Sequence, residues 1–193
     1  MCSSKVSILL LYTLSIILIS HTPFASSDKF KIEELCNDAD SVGFTDGTTV
    51  DDCLHFLNSD PKYRSADYHD LSKFIMEYAV NKGLEDQNSI NELEKNHTDI
   101  KDIADCSNVH YASTVSSFRS ALGKLDSDTD GAYNDALLAR HGIEECNGMV
   151  YDGKLDPATN GTISYMNKIM AFLSDISTSA IDLYSNDHPP HKV

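Results

Sequence analysis

The chain is short of positive charge: 15 lysines and arginines stand against 30 aspartates and glutamates, a net charge of −15. A polymer this acidic repels phosphate backbones, and no basic and aromatic patch offsets that, so nucleic acid is excluded as a partner. Alternating apolar and polar residues of the β-strand kind are absent over any useful length, which excludes a sheet-based fold. No repeat or low-complexity domain occurs. The chain also lacks GxSxG, phosphate-loop and dinucleotide fingerprints, HExxH and other compact metal-ligand clusters, which leaves no catalytic centre or metal site to build on. His55, His69, His97, His110 and His141 are scattered one per segment. The paired carboxylates Asp51-Asp52 and Glu144-Glu145 are helix neighbours that point in different directions, so they make no acid–base pair.

One long apolar run is present, at the very start. Lys5, the core "VSILLLYTLSIILI" and the polar exit "HTPFASS" have the order of a secretory signal, with cleavage expected before Asp28. That core is too short for a membrane anchor, and no later stretch is apolar enough to span a bilayer. Removing residues 1–27 takes away one lysine and moves the net charge from −15 to −16. Cys2 leaves with the signal. Cys36, Cys53, Cys106 and Cys146 remain, an even number in a secreted chain, which implies two disulfides with three pairings open. A disulfide also displaces the other reading of Cys106, a thiolate activated by His110 one helical turn away. The sequons Asn96-His97-Thr98 and Asn160-Gly161-Thr162 suit the same compartment, and each is expected between helices.

What is abundant is helical periodicity. Leu71, Phe74, Ile75, Tyr78 and Ala79 keep the spacing of a buried helix face, with Ser65 or Asp67 as cap and Gly83 as a stop or interruption. A second stripe runs through Ile100, Ala104, Tyr111, Val115, Phe118, Leu122 and Leu125. A third helix, about residues 132–147, turns Tyr133, Ala136, Leu137 and Ile143 inward and stops at Gly148. After the loop "YDGKLDPATNG" a fourth carries Ile163, Met166, Met170, Leu173, Ile176, Ala180 and Leu183. Four amphipathic helices with short connections predict an all-α, antiparallel four-helix bundle. Ahead of it, "KFKIEELCNDA" and "TVDDCLHFLN" hold Cys36 and Cys53, one each, which suits a disulfide-stapled helical hairpin. The expected layout is a signal at 1–27, the hairpin at 28–64, the bundle at 65–186 and a disordered tail at 187–193, where Pro189 and Pro190 stop any helix.

The acidic turn "DSDTDGAYNDAL" begins like a calcium loop: Asp126, Asp128 and Asp130 alternate and Gly131 follows. The twelfth position, which needs a bidentate carboxylate, is Leu137. The stretch therefore reads as a polar turn between helices, with Asp130 as N-cap of the second.

The stretches "EELCNDAD", "DDCLHFLNSDPKYRSADYHDLSKF", "IADCSNVHYASTV" and "AYNDALLARHGIEEC" together resemble the plant invertase and pectin methylesterase inhibitor family, over most of residues 30–185. The long gap between Cys36 and Cys53 is similar to that of a pollen subgroup described as invertase inhibitors. The resemblance implies a four-helix bundle with an N-terminal hairpin, disulfides Cys36–Cys53 and Cys106–Cys146, no cofactor, and a non-catalytic protein that binds and blocks a carbohydrate-active enzyme in the apoplast or vacuole. It also implies a contact at Asp130, Gly131, Ala132 and Tyr133, where the family's invertase inhibitors carry Pro-Lys-Phe. This chain keeps the aromatic and lacks the lysine. Acid invertase is the first target the resemblance implies and pectin methylesterase the second. The third reading is a non-inhibitory bundle that keeps only the fold.

Overall fold

The computed structural model of the chain describes residues 24–44, 47–96, 100–150 and 155–187. Residues 1–23 of the expected signal and 188–193 of the expected tail lie outside this range, as do His97, Thr98 and the start of the loop after Val150. The first helix already includes residues 24–27.

The helices are α1 (Phe24–Ser41), α2 (Val50–Asn58), a single turn α3 (Pro61–Arg64), α4 (Tyr68–Asn96), α5 (Lys101–Asp105), α6 (Ala112–Lys124), α7 (Thr129–Val150) and α8 (Pro157–Asp187). A π-helical segment, Cys106–Tyr111, joins α5 to α6 as one continuous rod. No strand occurs among the described residues. Several starts have a local cause. Thr49 and Asp52 form a reciprocal capping box on α2, and Asp67 Oδ1 accepts the Asp70 N–H (2.9 Å) at the head of α4. Asp60-Pro61 and Asp156-Pro157 start α3 and α8 in the same way. The carboxylate caps the first turn while the proline fills N1, where no N–H is needed. The Asp156-Pro157 pair carries α8 back to Pro157, several residues before the expected start near Ile163.

α4, the α5–π–α6 rod, α7 and α8 form the antiparallel bundle. Cys106 in the π segment is bonded to Cys146 of α7, with Cα atoms 4.9 Å apart. Cys36 is bonded to Cys53 across the α1–α2 hairpin, with Cα atoms 5.7 Å apart. Gly83 does not interrupt α4, which runs on for 29 residues. It lets three helices close together: a Cβ there would lie 2.7 Å from Val115 Cγ2 and 3.1 Å from Met170 Cε. Gly142 does the same for α7, where a Cβ would meet the His110 carbonyl at 2.8 Å.

The inner face of α7 is a ladder of three alanines, Ala132, Ala136 and Ala139, followed by Ile143 and Cys146, all fully buried. Leu137 was expected inward and is instead 46% exposed. It sits one residue, about 100° of rotation, beyond the ladder, and the alanines bring α7 too close to its neighbours for a leucine to enter. Tyr78 likewise turns out of the bundle, its ring 5.2 Å from that of Phe56 on α2.

The centre of the molecule is α8, buried on every side from Met170 to Ile181, polar residues included. One side faces the bundle. There Ser174 Oγ donates to the Ala136 carbonyl (2.7 Å) and Arg140 pairs with Asp175 (2.7 Å). The other side is covered by the hairpin through Phe172, whose ring meets Phe44 and Phe56, each at 5.8 Å. Tyr68 Oη donates to Glu34 Oε2 (2.6 Å), and Lys168 Nζ donates to the Gly47 carbonyl (3.3 Å), tying the hairpin down at both ends.

Candidate protein-docking site

The acidic turn closes one end of the bundle, and its carboxylates have separate tasks. Asp126 Oδ1 lies 2.6 Å from His69 Nε2 in the first turn of α4. Asp128 Oδ1 accepts the Gly131 N–H (2.9 Å), and its carbonyl accepts that of Ala132, so Asp128, not Asp130, caps α7. A cap must precede the first helical residue, and α7 begins at Thr129, which puts Asp130 inside the helix. Divergent carboxylates with these partners do not converge on one point as a calcium loop requires.

The expected contact residues part company. Ala132 is fully buried and Gly131 spends its N–H on the cap. Asp130 and Tyr133 reach the surface, where with Thr129 they line a groove of about 120 Å³ against Ile181, Asp182 and Ser185 of α8. Nearby, Lys124 Nζ pairs with Asp135 Oδ2 (2.7 Å). The hydrogen bond from this ammonium, aided by Ser120, holds the Asp135 carboxyl below the usual carboxylate range.

Two further grooves surround the same end of α8. One, about 320 Å³, is lined by His69, Lys73, Glu77, Leu122, Leu125 and Asp126. The His69 ring packs edge-on against Tyr184 of α8 (centroids 5.0 Å apart), and its Nδ1 lies 3.5 Å from Asp70. The other, about 500 Å³, runs along α1 between Phe30, Glu33, Glu34, Asp38 and Leu183. Residues of the α8 terminus thus line two of these grooves, Tyr184 backs His69 of the third, and carboxylates outnumber lysines and arginines in each. Such a surface is dominated by carboxylates, and His69–Asp126 is its close histidine–carboxylate contact. It can present fixed negative charge and some apolar surface to a cationic protein face.

Asp67, His69 and Asp70 bring ligand atoms within 4.8 Å of one another. Asp67 Oδ1 is engaged as the α4 cap and His69 Nε2 with Asp126. Asn96 ends α4, and Asn160 lies in the first turns of α8, where its Oδ1 accepts the Ser164 hydroxyl (3.1 Å). Both sequon asparagines therefore belong to helix ends, not to the interhelical loops expected of them.

His69, Ile181, Asp182 and Tyr184 were not singled out for this surface. They come from helices far apart in sequence, and nothing in their spacing signals that α4, α7 and α8 end together.

No family model matches the sequence, and no curated protein matches it. Solved structures do match. Mutant form A of a pectin methylesterase inhibitor from Arabidopsis is 18% identical, with a TM-score of 0.65 over 79% of this chain and 96% of that one. A pectin methylesterase inhibitor from Arabidopsis thaliana is also 18% identical, with a TM-score of 0.55 over 78% of this chain and 95% of that one. At this identity the likeness is one of fold: the chain has the helical bundle of the pectin methylesterase inhibitors, as the resemblance in its cysteine-bearing segments implied.

Proposed function

We propose that this chain is a secreted, non-catalytic protein that inhibits a plant cell-wall enzyme by docking on it, with a pectin methylesterase as the target. The observation that carries this reading is the extent of the fold likeness, 96% of an inhibitor's length with hairpin and bundle together. Two buried disulfides support an oxidising, extracellular setting such as the apoplast. No helix among the described residues is long and apolar enough to cross a membrane.

The composition of the acidic end favours pectin methylesterase over acid invertase. Asp130 and Asp182 flank the groove at Tyr133, and the position matching the invertase inhibitors' lysine is Ala132, which is buried. Carboxylates opposed to the acidic site of a glycosidase repel, whereas a basic esterase face attracts them. Titrating the oxidised protein into purified pectin methylesterase and acid invertase, side by side at about pH 5 and about pH 7, tests the reading. Near-stoichiometric loss of esterase activity is expected. Inhibition of invertase alone would reverse the assignment, and inhibition of neither, with both disulfides intact, would mean a bundle that keeps only the fold.

A further inference from the structure

The core of the bundle holds a carboxylate that its surroundings do not satisfy. Asp86, in the middle of α4, is 1% exposed. Its Oδ1 accepts a hydrogen bond from Lys82 Nζ, one turn earlier on the same helix. Its Oδ2 is buried and has no hydrogen-bond partner among the described residues. Other polar groups between α4, the π segment and α8 have partners of their own. Tyr111 of the π segment donates its hydroxyl to Asn167 Oδ1 of α8 (2.9 Å). Ser107 donates to Asn91 Oδ1 (2.6 Å), and Gln87 Nε2 donates to the Ser107 carbonyl (3.0 Å). Asn167 Nδ2 donates to Asn147 Oδ1 (2.8 Å) beside the Cys106–Cys146 bond.

The charges that act on Asp86 among the described residues come from its own helix, where Lys82 attracts it and Glu85 repels it, and the neutral Tyr111 hydroxyl of the π segment lies near enough to feel the Asp86 charge. A half-satisfied ionised carboxylate in a low-dielectric core is costly. One partly exposed ammonium offsets only part of that cost, and burial pushes the carboxyl above the usual carboxylate range.

We infer that Asp86 is an acid-responsive element of the bundle: ionised, it loosens the layer between α4 and the π segment, and on taking up a proton at Oδ2 it tightens that layer. The sign follows from linkage. A carboxyl that binds its proton more tightly folded than unfolded adds stability that is complete below the unfolded value, about 3.9. That stability is lost as pH rises through the higher folded value. This is opposite to Asp52 and Asp135, whose hydrogen bonds from Thr49 and Lys124 hold them low and favour the fold at higher pH. An acidic wall space would keep the bundle in its tight form, whichever enzyme it meets.

Thermal unfolding of the oxidised wild-type protein and of Asp86→Asn, scanned from about pH 7 to about pH 4, tests this. Asparagine is the neutral stand-in, so the variant's midpoint relative to wild type should fall steadily as pH falls. A difference that stays flat across the range would overturn the inference. Lys82→Met keeps the carboxylate and removes its one cation, so the pH inflection of stability should move upward; an unmoved inflection would count against the inference. Should Asp86→Asn not fold, the carboxyl ¹³C titration of Asp86 in the wild-type protein decides. A midpoint above the ordinary aspartate value is expected, and one at or below it refutes the proposal.

Discussion

Replacing Phe172 with alanine should detach the hairpin while leaving the bundle folded. Phe172 is 5% exposed and stands where α8 meets the hairpin, its ring against Phe44 in the α1–α2 turn and Phe56 on α2. A buried Phe→Ala change costs ~3–5 kcal/mol once the residual cavity is included. Each aromatic pair lost accounts for about 0.5–1.5 kcal/mol of that. The hairpin keeps Ile32, Leu35, Ala39 and Leu57, the Phe56–Tyr78 ring contact, the Tyr68–Glu34 hydrogen bond and the Lys168 contact with Gly47. A domain's whole stability is about 5–15 kcal/mol, so the loss is large, yet the Ser174–Ala136 and Asp175–Arg140 contacts that join α8 to α7 do not involve Phe172. Hydrogen exchange read segment by segment is the assay. Amides of α1 and α2 should exchange faster by two orders of magnitude or more, as a ~3 kcal/mol loss implies, with those of α6 and α7 little changed. Uniform acceleration of all helices would refute the division into hairpin and bundle, and a midpoint shift worth under about 1 kcal/mol would refute the burial argument.

Other consequences follow from the same contacts. Gly142→Ala forces a Cβ against Thr114 Oγ1 and the His110 carbonyl and disturbs the Thr114 hydrogen bond to the Ala139 carbonyl (3.0 Å); a loss of ~1–3 kcal/mol is expected in denaturant melts. On the chain-entropy relation, the Cys36–Cys53 and Cys106–Cys146 loops contribute roughly 3 and 4 kcal/mol. Mild reduction should loosen the hairpin first, since it has less packing to fall back on; unchanged helicity and protease resistance of α1 and α2 after reduction would oppose this. The Lys124–Asp135 pair should support the fold above about pH 4, the ordinary aspartate value, and lose that support as pH falls through the depressed folded value. Lys124→Met should therefore flatten this part of the acid limb of stability.

Which parts of this molecule its sequence announces depends on how local their causes are. The stripe of α8 is legible because its members recur at helical spacing, and Asp67 stands out as a cap, whereas Gly83, expected as a stop or interruption, lies inside α4. The opposite side of α8 is not, because Phe172 is covered by a hairpin that arrives from more than a hundred residues upstream. The start of α8 was within reach, since Asp156-Pro157 repeats the chemistry of Asp60-Pro61. Leu137 shows the reverse failure: its hydrophobicity argues for the core, while the alanine ladder beside it sets the face. Of the acidic end, Asp130 and Tyr133 were legible as a pair. Their neighbours Asp182 and Ile181 are a property of where two helices stop.

The measurement that tests the account most directly is the association rate of the oxidised protein with a basic pectin methylesterase, for wild type and for Asp130→Lys/Asp182→Lys, at low and at physiological salt. Docking through the acidic end predicts a rate lowered on the order of tenfold or more in the variant, and a salt dependence weaker than that of wild type. Equal rates and equal salt dependence, with wild-type inhibition intact, would contradict it and move the contact to another face of the bundle.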